Sequence, residues 1–337
     1  MNKFFKHLFS PFRLLGFDWF ISGLFFMILL AWQFPGPGVA DGVISLKSLA
    51  GYGISVIFLL YGMRLSVGQL LGCLSHLTLH TIIQSVTFIL FPLLVLPFRG
   101  VFQGGPYYNL WLGVFFLAAL PSTVSSAVVM VSMARGNIPA AVFNASLSSI
   151  AGIFIAPLWM GMFVNGPMAF DMYPVLVKLT YQVLLPLITG LLLNRWLGQW
   201  AINARKITSY FDQLVILAIV YTSFSTSFKS GLFVGFSLEV ILMLVLILVL
   251  LFVVVNLLIY FTGKRAMLSR PDMITALFCG STKSLMHGSV MAKVMFGSMG
   301  IGGIVLLPVL IYHAFQLTAT GIMARKFSVR KPDNDDK

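Results

Sequence analysis

Long apolar runs leave this chain little choice of fold. Ten can be drawn, at about 17–34, 45–63, 76–98, 109–134, 138–163, 173–194, 208–228, 235–262, 272–297 and 300–323, each bounded by glycine, proline or charge. A helix needs about 20 apolar residues to cross a bilayer core. The connections are too short to hold a soluble domain. The expected fold is therefore all-α and polytopic, with ten transmembrane helices. Composition agrees: 59% of residues are hydrophobic, 9% are charged, and the mean hydropathy is +0.97. An ordinary soluble domain carries roughly 25% charged residues. A soluble enzyme, a disordered chain and a nucleic-acid binder are all excluded on this ground. The expected partners are the bilayer and a small-molecule or ion substrate, with no cofactor and no resident metal.

The basic residues report orientation. Of 22 lysines and arginines, Lys47, Arg99, Lys178 and Lys229 fall on one side of the ten runs, and Lys283 and Lys293 fall inside the ninth. The other sixteen share the opposite side. That bias places both termini in the cytoplasm. The regular alternation also supports ten runs, because a missed or false one would scramble it. Lys3, Lys6 and Arg13 before an apolar stretch resemble a signal peptide. The stretch is longer than a typical signal core, however, and Pro35-Gly36-Pro37-Gly38 is no cleavage site, so it is read as a retained first helix. Cys73 and Cys279 are read as small apolar residues, without a disulfide framework.

Ten runs make two halves of five. Five is odd, so the second half enters from the opposite face, and any repeat between the halves is inverted. The fourth run carries Pro121-Ser122-Thr123-Val124-Ser125-Ser126, and the ninth carries Gly280-Ser281-Thr282-Lys283-Ser284. Ser122 lies 105 residues after Phe17, and Ser281 lies 108 after Tyr173. The same Ser-Thr-x-Ser string thus recurs at matching places, each time behind a helix breaker. Broken helices at membrane depth are tolerated where the freed backbone is buried in protein or lines a cavity. A matched pair of them points to a binding site near the midplane. Two ordinary kinked helices, with hydroxyls bonded back to carbonyls one turn earlier, are the plainer alternative.

Lys283 stands eleven residues into its run, about 16 Å deep at 1.5 Å per residue. That exceeds the reach of a snorkelling lysine. No acidic residue maps to the same depth, so hydroxyls, freed carbonyls, water or an anionic ligand must satisfy it. Lys293 lies nearer the outer boundary, where snorkelling or pairing with Glu239 is expected. Gln84, Asn144, Ser148, the run Tyr221–Ser227, Asn256, His287, His313 and Gln316 are also polar at depth. For each of these, interhelical bonding and substrate contact remain alternatives. His287 is four residues from Lys283 on one helix face, which makes it a candidate proton-relay partner.

At these two strings the chain resembles the bile acid:sodium symporter superfamily, and more closely its divergent SBF-like branch, which includes a vertebrate solute carrier and many bacterial proteins. The likeness spans nearly the whole chain. It includes Gly62-Met63-Arg64-Leu65-Ser66, Gln84, Leu120 to Ser126, Ala134-Arg135-Gly136-Asn137, and above all Phe278-Cys279-Gly280-Ser281-Thr282-Lys283-Ser284-Leu285. The resemblance implies a panel domain (17–63 and 173–228), a core domain (76–163 and 235–323) and a cytoplasmic tail (324–337). It implies that the fourth and ninth helices are discontinuous and cross, that substrate binds beside the crossing, and that transport is by alternating access. It also suggests a bacterial inner membrane. The site residues expected to bind substrate or ion are Ser122, Thr123, Ser125, Ser126, Gln84, Asn144, Ser281, Thr282, Lys283, Ser284 and His287.

The departures from the family pattern are specific. Sodium-coupled members place Ser-Asn after the first break, where this chain has Ser126 and Ala127. They place Glu, then Gln, then Asn at the second, where it has Phe278, Thr282 and Lys283. Hydroxyl ligands early in the fifth helix match Ala141 and Ala145, and Gln84 alone survives. The expectation is that Lys283 replaces the bound cation, so that the protein needs no sodium or couples to protons through the lysine. The lysine, helped by the positive ends of the half-helices, would also attract an anionic solute. Three other functions compete with this one. A Ser281–Lys283 hydrolytic dyad is disfavoured because side chains two apart on a helix diverge. A channel would conduct without saturation. A non-transporting regulator or scaffold with a transporter fold remains the alternative function.

Overall fold

A computed structural model of the chain describes residues 19–65, 76–163, 172–234 and 236–329. Lys3, Lys6, Arg13, Ser66, Cys73 and residues 330–337 lie outside the described residues, as does the side chain of Ser125. All regular structure among the described residues is helical. The principal helices are α1 (Trp19–Gln33), α2 (Leu46–Arg64), α3 (Leu77–Phe102), α4 (Tyr108–Ala119), α5 (Ser125–Met133), α6 (Ile138–Phe163), α7 (Tyr173–Asn203), α8 (Arg205–Lys229), α9 (Leu238–Arg265), α10 (Arg270–Ser281), α11 (Leu285–Phe296) and α12 (Gly302–Val329).

Seven of these, α2, α3, α6, α7, α8, α9 and α12, are long and apolar enough to cross a membrane. Ten crossings were expected from the apolar runs. The difference has a local cause. The run at 109–134 is divided between α4 and α5, and that at 272–297 between α10 and α11, so neither supplies one continuous span. The first run appears as α1, with 15 described residues. Several helices also outrun their apolar cores. The last is helical through Val329, so the described part of the expected tail, 324–329, continues that helix. Arg325 and Lys326 extend it favourably, because cations near a helix C-terminus face the negative end of its dipole.

Two sets of neighbouring helices stand out, joined where α8 packs on α11 and α12. Helix α2 lies along α7 and α8, and α1 lies along α8. Helix α4 lies along α12, and α9 along α10 and α12. Small residues let the first group close. A Cβ on Gly62 would collide with the Leu187 carbonyl, and one on Gly190 with the Leu59 carbonyl, so the α2 and α7 backbones touch at a reciprocal glycine pair. At one end of this group Arg64 pairs with Asp212 at 3.2 Å, joining α2 to α8.

Helix α3 is irregular for a reason visible in its sequence. Pro92 has no N–H, so the turn before it relaxes into a π segment, Val86–Leu90. The Phe91 N–H then reaches back to the Val86 carbonyl, five residues away. Thr87 is left without either usual helical donor, since the next candidate is Pro92 itself. The Phe88 carbonyl, also freed by Pro92, accepts from the Trp159 indole at 2.8 Å. The same arrangement recurs in α7, where Thr180–Leu184 is a π segment ahead of Pro186.

Candidate functional site

The site is built on two helix breaks that meet. The first follows α4. Leu120 is extended, at φ −69° and ψ 151°, as a residue before proline tends to be. Helix resumes at Ser125. Between them the chain presses Pro121 so closely on α6 that a Cβ on Gly152 would lie 2.7 Å from the proline ring. The Ser122 N–H, with no helical acceptor, donates to the Ser148 hydroxyl at 2.9 Å.

The second break differs from the expectation in position and cause. Gly280 is not its hinge: α10 continues through Gly280 and Ser281, and the extended residues are Thr282 at φ −89°, ψ 148° and Ser284 at φ −82°, ψ 113°. No proline forces the change. Side chains supply what the lost helix withholds. Ser281 and Thr282 donate back to the Leu277 and Phe278 carbonyls at 2.6 and 2.9 Å. From α12, Tyr312 donates to the Ser281 carbonyl at 2.7 Å. One turn later Gln316 grips the Lys283 peptide from both sides, accepting from its N–H and donating to its carbonyl, each at 2.8 Å. Ser284 then caps α11 by accepting from the His287 N–H at 3.3 Å.

The breaks are joined directly. The Ser284 N–H donates to the Pro121 carbonyl at 2.9 Å. Thr282 Oγ1 accepts from Thr123 Oγ1 at 3.2 Å, lies 3.1 Å from Ser122 Oγ, and Ser126 Oγ donates to Thr123 Oγ1 at 2.8 Å. Ser122, Thr123, Ser126, Ser281, Thr282, Lys283 and Ser284 are thus brought together. Ser125 opens α5 beside them.

Lys283 sits at the centre, 1% exposed. Its ammonium donates to the carbonyls of Thr87 (2.8 Å), Ala118 (2.7 Å) and Leu120 (2.8 Å), and lies 4.1 Å from the centre of the Phe91 ring. Each carbonyl is available for a local reason. Thr87 is freed by Pro92 and the π segment. Ala118 lies one turn before Ser122, whose N–H is taken by Ser148. Leu120 lies in the break itself. Three acceptors match the three N–H donors of an ammonium, whereas a neutral amine would turn its lone pair on one of them. The negative end of the α4 dipole points the same way. None of these partners is a carboxylate, so the positive charge is solvated but not neutralised.

Not every expected residue joins this centre. Gln84 donates to the Asn144 carbonyl and to its Oδ1, both at 3.1 Å, and Asn144 contacts His80 Nδ1 at 2.8 Å, making a separate cluster between α3 and α6. His287 bonds Ser284 Oγ through Nδ1 at 2.9 Å rather than Lys283. Its ring lies against Phe58 and Tyr61 of α2, and its Nε2 is buried without a partner. Lys293 does not pair with Glu239. It donates to Thr222 Oγ1 at 3.2 Å, where α11 packs on α8.

Thr87, Pro92 and Tyr312 had no place in the sequence reading, and Gln316 and Ser148 only a minor one. A proline within an apolar helix signals freed carbonyls, and Tyr312 and Gln316 are spaced by one turn of a helix. Ala127, Ala141 and Ala145, where the family resemblance led to an expectation of missing oxygen donors, are buried, as is Phe278, whose ring packs on Phe327.

A sequence model of the SBF-like CPA transporter family matches residues 18–329. The chain is 36% identical to "Putative symporter YfeH" of Escherichia coli over 94% of each protein. It is 34% identical to an uncharacterized Pseudomonas aeruginosa protein, again over 94% of each. It is 29% identical to sodium/bile acid cotransporter 7-A of Xenopus laevis, over 91% of this chain and 90% of that one.

Proposed function

We propose that this chain, which belongs to the SBF-like CPA transporter family, is a secondary carrier of a small anionic organic solute that works by alternating access without bound sodium. Its general character as a multi-pass membrane transporter follows from the family and from its apolar helices. The observation that carries the finer reading is the coordination of Lys283. Three carbonyl oxygens at 2.7–2.8 Å surround its ammonium much as oxygens surround a small cation. The lysine is thus a cation that never leaves. Apolar residues at the places where sodium-coupled relatives supply oxygen donors support the same reading.

In this reading each broken pair, α4 with α5 and α10 with α11, makes one crossing. Together with α1 and the seven continuous spans, these give ten helices in two inverted halves. The panel is α1, α2, α7 and α8, and the core is the rest. The basic-residue bias puts both termini in the cytoplasm, in a bacterial case beneath the inner membrane. Substrate binds between panel and core, beside the breaks. An uncompensated positive charge there has long reach in a low-dielectric interior, which favours an anion over a cation or neutral solute.

Alternating access makes a labelling prediction that needs no known substrate. A single cysteine at Ser126, in a background with Cys73 and Cys279 replaced by alanine, is expected to react with a membrane-impermeant maleimide from each side of the membrane. Reaction from one side only, or from neither, would overturn alternating access and favour the non-transporting scaffold.

A further inference from the structure

A line of polar side chains runs inward along the first turns of α3. His76 precedes the helix with its side chain half exposed, and its Nδ1 lies 3.5 Å from Asp272 Oδ2 of α10. One turn later, on the same face, stands His80, which is buried and whose backbone N–H donates to the His76 carbonyl at 3.1 Å. Its ring packs on Phe143 of α6, 4.4 Å between centres, and its Nδ1 lies 2.8 Å from Asn144 Nδ2. Gln84, one further turn along, donates to Asn144 Oδ1 at 3.1 Å. Three residues beyond Gln84 is Thr87, whose carbonyl accepts from Lys283.

The bonding decides where the hydrogens sit. Asn144 Nδ2 also donates to the Ala140 carbonyl at 2.9 Å, while Oδ1 accepts from Gln84, so the amide turns its nitrogen to His80. An amide nitrogen only donates, so His80 Nδ1 is the acceptor and the neutral ring carries its hydrogen on Nε2. A proton on Nδ1 would set donor against donor, and the amide must then turn its oxygen to the ring. The turned nitrogen needs an acceptor in its new direction. Gln84 Oε1, buried and without a partner, belongs to the side chain that stands there. Charged side chains at this end of the helices packed on α3 are Arg270 and Asp272 of α10 and Lys264 and Arg265 of α9; α6 has none. Asp272 already accepts from Asn137 Nδ2 at 2.8 Å and Ser269 Oγ at 2.9 Å.

We propose that His80 is a proton-binding site, and that a proton there turns the Asn144 amide and remakes the tie between α3 and α6. An imidazole changes charge near neutral pH, which suits it to this task. The half-exposed His76, one turn outward, passes the proton between water and His80. Lys283 is less suited, because three carbonyls already hold its ammonium. The change reaches the broken helices through α3, since Gln84 must release Asn144 Oδ1 when the amide turns, and Gln84 stands just ahead of Thr87. In the carrier reading, on which this role rests, the proton is the coupling ion in place of sodium. Proton binding at His80 does not itself require transport.

The test uses the purified full-length protein with nitrogen-15 in its histidines, followed by NMR from about pH 8 to about pH 5. His80→Gln identifies the His80 signals by their loss. At the alkaline end His80 is expected to show a bare Nδ1 and a protonated Nε2, and at the acid end a proton on both. Asn144→Asp keeps the side-chain shape but offers oxygen alone to the ring, so the midpoint of the change is expected to rise by about one unit or more. Gln84→Glu, whose carboxylate cannot donate to Asn144 Oδ1, favours the turned amide and is expected to shift it the same way. A His80 that stays neutral down to about pH 5, or whose neutral form carries its hydrogen on Nδ1, would overturn the proposal, and the unaltered protein alone reports both. An unshifted midpoint in either folded variant would also overturn it. The maleimide result at Ser126 tests alternating access separately, so failure of the proton site and failure of the carrier reading are distinguishable.

Discussion

Lys283→Met is expected to lower stability by about 3–5 kcal/mol and to abolish transport. Removing one partner of a buried charged cluster strands the rest, and costs of that size are usual. Here methionine leaves the carbonyls of Thr87, Ala118 and Leu120 converging on a thioether. These groups lie on two stretches of backbone, α3 and the end of α4, so the loss also uncouples the π segment of α3 from the break after α4. Arginine does not rescue the site, because a planar guanidinium cannot fill a pocket shaped for three donors around one nitrogen. Alanine is more informative. It empties the space and leaves three carbonyl oxygens around it, so Lys283→Ala is expected to regain stability when a small monovalent cation is supplied. A merely structural lysine, filling volume without acting as a cation, would show no such rescue.

Gln316→Leu is expected to cost about 2–6 kcal/mol, because it leaves the buried N–H and carbonyl of Lys283 without partners, at about 1–3 kcal/mol each. Gln316 is 0% exposed, so water does not replace it. The effect reaches function through geometry. The clamp holds Thr282–Ser284 extended, and that extension lets Ser284 reach Pro121 and lets the Lys283 side chain point at its carbonyls. Tyr312→Phe removes one bond to the same break and is expected to cost only about 1 kcal/mol. Thermal unfolding of the three proteins side by side checks the order. Equal losses for Gln316→Leu and Tyr312→Phe would show that the clamp is not what holds the break.

The helical class, the break at Pro121 and the need of Lys283 for partners other than carboxylates were legible in the sequence, because each rests on local chemistry. Apolar runs measure the bilayer, proline cannot continue a helix, and a lysine far from any carboxylate needs unusual partners. The second break was placed at Gly280 because glycine is the usual weak point. The true break at Thr282 is made by Tyr312 and Gln316, some thirty residues away, and only the tertiary structure brings them there. Thr87 escaped for a related reason: its value lies in a backbone carbonyl, which carries no side-chain signature, and Pro92 is the one clue. Pairing Lys293 with Glu239 followed from matching depth alone. Depth says nothing about which faces two helices turn to each other, and α11 turns that face to Thr222.

The most direct measurement is the unfolding midpoint of the purified protein and of Lys283→Ala, each in sodium, lithium, potassium and choline chloride at equal ionic strength. With the cation built in, the unaltered protein is expected to show the same midpoint in all four salts, while Lys283→Ala rises with a small metal cation over choline. A selective rise of the unaltered protein in sodium would contradict the account, because it would mean that a sodium site exists alongside Lys283.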